Sequence, residues 1–136
     1  MAETSNKATL SGIISNEIFG SFGWASRPLH DHNWDCVTKK HNKKTHPADV
    51  VFTYDDPFQR VRPYILTDLK CYSKTTINYT NMKEALESLA MSVDCAQRSA
   101  SFRKMFIEEN DTYVVMGMLF IYNHDNLDLK GAGNRQ

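Results

Sequence analysis

The chain is short of the features that announce most small-protein functions. It has only three cysteines, Cys36, Cys71 and Cys95, an odd number at wide spacing. That excludes a disulfide framework and reads as reduced packing thiols in a cytoplasmic chain. No pair of them has metal-binding spacing. His30, His32, His41 and His46 match no tight ligand pattern and no cysteine lies near them, so no zinc site is expected. There is no Gly-rich phosphate loop, no GxSxG and no Cys–His pairing that can be placed, which leaves NTP hydrolysis and acyl transfer without support. Neither sign of charge is in excess, since 16 Lys+Arg balance 16 Asp+Glu. Net charge therefore makes no case for nucleic acid, and any electrostatic argument has to rest on local clusters. The longest apolar run, "YVVMGMLFIY", is about half the roughly 20 residues a membrane-spanning helix needs. The start, "MAETSNKATLSG", has no apolar segment of the secretory kind. No membrane association is expected.

What is present is the composition of one globular domain. The 136 residues are 41% hydrophobic and 24% charged, enough to bury a core without staples. The core is placed at about residues 10–122, with 1–9 and 123–136 read as flexible. The polar end, with no closing helix, hints at the N-terminal domain of a longer protein.

Leu10, Ile13, Ile14 and Ile18 fall at helical spacing and predict a first helix from Leu10 to Phe19, stopped by Gly20. Glu17 shares its apolar stripe. A loop, "GSFGWASRP", leads to a strand candidate over Trp34–Thr38, and "KKHNKK" reads as a polar turn. Strands follow over Val50–Tyr54, closed by the turn signal "DDP", and over Tyr64–Tyr72. Asn81, with Glu84 three positions on, resembles a capping box. The apolar spacing after it predicts a helix to about Ala100, or as far as Phe106. "TYVVMGMLFIY" reads as a strand covered on both faces. The order is α-β-β-β-α-β, a mixed sheet with helices packed on it.

Within the strands, Asp49 opens the second and "DLK" interrupts the third. Residues two apart on a strand share a face, so Asp68 and Lys70 project together while Ile65, Thr67, Leu69 and Cys71 face the other way. Burying such charges costs several kcal/mol unless they are compensated. An ion pair is one compensation. The other is a divalent cation held by Asp49 and Asp68, with Lys70 aimed at what the cation binds. Such a group suits phosphodiester hydrolysis.

These residues and their order resemble the PD-(D/E)xK, or restriction-endonuclease-like, nuclease superfamily over roughly Leu10 to Tyr122. The resemblance implies the α-β-β-β-α-β core with its central mixed sheet flanked by helices. It also implies a nuclease that hydrolyses DNA or RNA, with DNA the first expectation, using Mg²⁺, for which Mn²⁺ substitutes. Asp49 of "HPAD" matches the first acid of the motif, and Asp68 and Lys70 match its tripeptide. The carbonyl of Leu69 and the carboxylate of Glu17 occupy the places of further metal ligands. One departure is that Ala48 separates Pro47 from Asp49, where the family commonly puts the proline directly before the acid. Restriction, phage defence, repair and recombination are the roles the family serves, and nothing in the sequence selects among them. A homodimer or additional domains are compatible with the family.

Lys39, Lys40, Lys43 and Lys44, with Arg60 and Arg62 on the following turn, read either as phosphate contacts or as solvated turns. Two alternatives to a nuclease stay open. One is an inactive member of the same fold that binds nucleic acid or serves assembly. The other is an interaction domain in which Asp68 and Lys70 form a surface ion pair, worth only about 0–1 kcal/mol if exposed.

Overall fold

The computed structural model describes residues 9, 12–73, 75 and 77–123. Chain order is a π-helical turn Ile14–Ile18, a 3₁₀ turn Phe19–Phe22, strands β1 (Ala25–Ser26) and β2 (His32–Asp35), and a 3₁₀ turn Lys39–His41. Strands β3 (Thr45–Ala48), β4 (Val50–Thr53) and β5 (Arg62–Tyr72) follow, then helices α1 (Tyr79–Ala96) and α2 (Ala100–Phe106), and strand β6 (Tyr113–Asn123). A four-stranded sheet in the order β1-β4-β5-β6 forms the centre, and β2 and β3 make a separate two-stranded sheet. β4 and β5 are antiparallel, whereas β5 and β6 run parallel over their full length, from Arg62–Tyr113 to Tyr72–Asn123. The result is the mixed α/β sheet with flanking helices that the sequence implied.

Apolar alternation along β5 sorts the core into two faces. Tyr64 and Leu66 pack with Val51, Leu89 and Phe102 on the face covered by α1 and α2. Ile65 and Leu69 pack with Phe19, Val50 and Phe52 on the other. There Phe19 stacks on Trp24 at 4.8 Å and meets Phe52 edge-on at 5.2 Å, which anchors the N-terminal turns to the sheet. On the helical face, α1 comes so close to β6 that a Cβ on Gly117 would lie 2.8 Å from Cγ2 of Val93. Only glycine permits that approach.

Several boundaries differ from the sequence reading. Leu10 lies outside the described residues. The helical turns run past Gly20 and stop at Gly23, because Gly23, at φ +79°, is the one that takes the left-handed cap. The expected strand at Trp34–Thr38 is shifted to His32–Asp35 and pairs with β3 instead of joining the central sheet. The short β1 takes the place beside β4. The cap of α1 is Asn78, which is extended and accepts the Asn81 amide at 2.9 Å, so Asn81 is already inside the helix. A second cap breaks the long helix: Ser99 is extended, its Oγ accepts the Phe102 amide at 3.2 Å, and α2 starts afresh. β6 lies at a sheet edge with Met116 40% exposed, so it is not covered on both faces. Of the two tails read as flexible, Thr9 is helical and Asn123 ends β6; the remainder lies outside the described residues.

Candidate active site

Asp49 sits at the bend between β3 and β4, its backbone carbonyl accepting the Asp31 amide at 2.8 Å. It is buried, 8% exposed. A buried carboxylate needs donors, and Oδ2 finds one in the Leu69 amide at 2.7 Å. The ladder between β4 and β5 ends at Val50–Thr67. The next step of that register sets Asp49 across from Asp68. Val51 and Leu66, the pair on the same face one step further in, belong to the core beneath α1 and α2. The acids therefore take over that face where its apolar packing ends.

Asp68 and Lys70 share the same face, and Nζ of Lys70 lies 3.5 Å from Oδ2 of Asp68, with side chains 32% and 17% exposed. Both are half-buried, accessible to a ligand but partly shielded from water. α1 runs antiparallel to β6, with Gln97 bonded to Val115 and Leu89 and Val93 packed at Gly117. Its first turns thus point toward the end of the sheet that carries Asp68 and Lys70. Two acids and a lysine converge on one sheet end, held by backbone register and a hydrogen bond from the tripeptide's own middle residue.

Against protein-family models, the chain matches the GAPS4 protein PD-(D/E)XK nuclease domain over residues 1–132. It belongs to that family. No curated protein and no solved structure matches it significantly. The family makes the function of the nuclease type, with a nucleic acid as the implied substrate. Nucleases of this kind generally use divalent metals. No helix among the described residues is long and apolar enough to cross a membrane.

The other candidate residues of this GAPS4 nuclease domain are dispersed. Glu17 is exposed on the π-helical turn, and Phe19, two residues on, is rooted in the core of the opposite face. The bonds joining Asp49, Leu69, Asp68 and Lys70 do not include it. Lys39, Lys40, Lys43 and Lys44 are exposed at the tip of the β2–β3 hairpin. β3 leads from that tip to Asp49, a span of roughly 15 Å at strand rise. Arg60 and Arg62 are at the far end of β5, roughly 20 Å from Asp68. There the Arg62 guanidinium meets Asp55 at 3.1 Å and Asp111 at 3.5 Å. Gln97 and Arg98 turn away from the acids, Gln97 to the Tyr113 carbonyl and Arg98 to Thr38 and Asp94.

One premise of the sequence reading is overturned. Cysteines do lie near the histidines: Cys36 Sγ is 3.7 Å from Nδ1 of His41, and Cys95 Sγ is 3.8 Å from Cys36 Sγ. The visible signal was the regular spacing of Cys36, His41 and His46, with four residues in each gap. Cys95 is 59 positions from Cys36, and only the docking of α1 brings it in.

Proposed function

We propose that this domain is a metal-dependent nuclease that hydrolyses phosphodiester bonds of DNA, with Asp49, Asp68 and Lys70 as its catalytic residues. The observation that carries this reading is the Asp49 carboxylate bound to the Leu69 amide at 2.7 Å, which holds the first acid of the motif against its tripeptide. The donor set suits a hard cation: two carboxylates and the Leu69 carbonyl are all oxygen ligands. Bound there, Mg²⁺ or Mn²⁺ supplies Lewis-acid polarisation of the phosphoryl group and acidifies a water.

The chain's own residues do the rest. The Leu69 amide fixes the Asp49 carboxylate against the tripeptide. Asp68 holds the Lys70 ammonium within 3.5 Å, so the cation is aimed before substrate arrives. Lys70 orients the attacking water or counters the charge that grows on the phosphoryl oxygens. α1 presents the positive end of its dipole at the same end of the sheet, which favours phosphate. Glu17 stands as the outlying carboxylate of the set, anchored on the other face.

The test is cleavage of plasmid, linear duplex, single-stranded DNA and RNA by purified protein with Mg²⁺, Mn²⁺ or EDTA. It is run beside Asp68→Ala and Lys70→Ala. Metal-dependent cutting lost in both variants is the expected result. Cutting that persists in both would remove Asp68 and Lys70 from the mechanism. Binding that survives chelation, with no cutting under any condition, would point to a non-catalytic module of the same fold.

A further inference from the structure

Cys36, His41, His46 and Cys95 bring two sulfurs and two ring nitrogens within 4.8 Å of one another. None of the four takes part in the site above. His46 and Cys95 are fully buried, and Cys36 and Cys95 are free thiols. We propose that these four residues form a tetrahedral zinc site that staples the β2–β3 hairpin to the last turn of α1. The proposal is independent of the nuclease reading.

Three observations carry it. The first is spacing. A tetrahedron with Zn–S of about 2.3 Å and Zn–N of about 2.0–2.1 Å has S···S edges of about 3.8 Å and S···N edges of about 3.6 Å. Cys36 and Cys95 are 3.8 Å apart at sulfur, and Cys36 lies 3.7 Å from the His41 nitrogen.

The second is the protonation that the surroundings impose. Nε2 of His41 lies 3.1 Å from the Asp94 carboxylate, which only accepts, so in the neutral ring that nitrogen carries the proton and Nδ1 turns a lone pair toward Cys36. Ser92 Oγ gives its one proton to the Ser88 carbonyl at 3.1 Å and stands 3.3 Å from Nδ1 of His46. With Nδ1 as the donor to that oxygen, Nε2 is left bare. That Nε2 is buried and has no hydrogen-bond partner. Packing alone would leave it an unsatisfied buried polar atom; a metal satisfies it.

The third is the supporting shell. Metal-bound histidines pass their other N–H to a carboxylate or another acceptor, which sets ring orientation. Asp94 and Ser92 fill that place here. The Val37 amide donates to Cys95 Sγ at 3.0 Å, which fixes the position of that sulfur. Two thiolates and two neutral imidazoles select a borderline-soft tetrahedral ion, and four protein ligands leave no open position. The site is therefore structural. His41 closes the 3₁₀ turn that carries Lys39 and Lys40, so the metal fixes the basic hairpin tip relative to α1.

The test is metal analysis of the full chain, purified without added metal and then incubated with Zn²⁺ or Co²⁺. About one zinc per chain is expected, with cobalt giving tetrahedral ligand-field bands and thiolate-to-cobalt charge transfer. Stoichiometric release of zinc by a mercurial reports thiolate ligation in the wild type, without any variant that has to fold. Asp94→Asn should weaken zinc binding about 10–100-fold, and Cys36→Ser should abolish the charge-transfer band. Asp68→Ala should keep the zinc, which separates this site from the nuclease centre. A folded chain that takes up neither ion would overturn the proposal. So would a Cys36–Cys95 disulfide in freshly purified protein, or zinc that departs with Asp68→Ala and stays with Cys36→Ser.

Discussion

The Leu69 amide donates to Oδ2 of Asp49 at 2.7 Å across a separation of twenty residues. One carboxylate thus closes the end of the β4–β5 ladder and supplies the first acid of the proposed site. The two roles separate by substitution. Asp49→Asn keeps an oxygen for the Leu69 amide but loses the charge. Its folding stability should stay near wild type while cleavage falls by at least about 100-fold, the scale seen when a charge-stabilising group is lost. Asp49→Ala leaves the amide without its acceptor and should cost a further 1–3 kcal/mol or about that. Urea melts beside cleavage rates check both; equal stability of the two variants would show that the hydrogen bond matters little.

Lys70 should behave in the opposite way to a structural residue. Its ion pair with Asp68 is half-exposed at 3.5 Å, and such pairs contribute about 0–1 kcal/mol. Lys70→Ala is expected to melt close to wild type and to lose about 10²–10⁴-fold in cleavage. Lys70→Arg restores the charge with a different donor geometry and should recover only part of the rate. A Lys70→Ala variant that is unstable but cuts normally would make the pair a structural element.

The parts of the fold legible in sequence were those with local periodicity. α1 carries apolar residues at helical spacing, β4, β5 and β6 carry apolar runs bounded by turn signals, and all four lie close to where those signals put them. The acid pattern was equally visible, because the strand period alone places Asp68 beside Lys70 and the motif points to Asp49. What escaped the sequence was set by partners far along the chain. β2 pairs with β3 rather than with β4, and Trp34 is drawn inward by Phe102, at 5.0 Å. Ser99 ends one helix and begins another because its Oγ also donates to the Asp35 carbonyl at 3.0 Å. The Cys/His cluster was legible only as the even spacing of Cys36, His41 and His46, since Cys95 reaches it only by way of α1.

Gly117 tests the packing of α1 on β6. Its missing Cβ is what admits Val93 Cγ2, at 2.8 Å from where that atom would stand. Valine is stiff at χ1 and cannot swing aside. Gly117→Ala should therefore destabilise the fold by about 1–3 kcal/mol. Adding Val93→Ala should recover part of that loss, giving a coupling readable in a double-mutant cycle of denaturant midpoints. Strict additivity would place the strain elsewhere.

Tyr64 predicts how stability responds to alkali. Burial and a hydrogen bond to Asp111 raise its pKa from 10.0 to about 12; the Tyr64 hydroxyl donates to Asp111 at 2.6 Å and accepts the Glu108 amide at 3.0 Å. The folded state prefers the neutral phenol, so its stabilising effect is full below pH 10 and disappears as pH rises through about 12. A shift of that size corresponds to on the order of 2–3 kcal/mol. Urea midpoints taken from about pH 9 to about pH 12 should fall more steeply for the wild type than for Tyr64→Phe, which has no phenol to ionise. Parallel slopes would mean that other groups carry the alkaline loss.

The basic hairpin tip and the far arginines make opposite predictions about salt. Lys39, Lys40, Lys43 and Lys44 are exposed on the strand pair that runs into Asp49, where a substrate held at the acids can extend over them. If all four meet phosphates of duplex DNA, replacing them with alanine lowers the slope of log affinity against log salt by about 3–4, since each contact contributes about 0.9. Arg62 is engaged with Asp55 and Asp111 at the other end of β5, so Arg62→Ala should lower stability slightly and leave that slope unchanged. Binding titrations over a salt series with both variants decide the path of the nucleic acid. A slope that drops with Arg62→Ala and not with the lysine variant would run the substrate along β5 instead of over the hairpin.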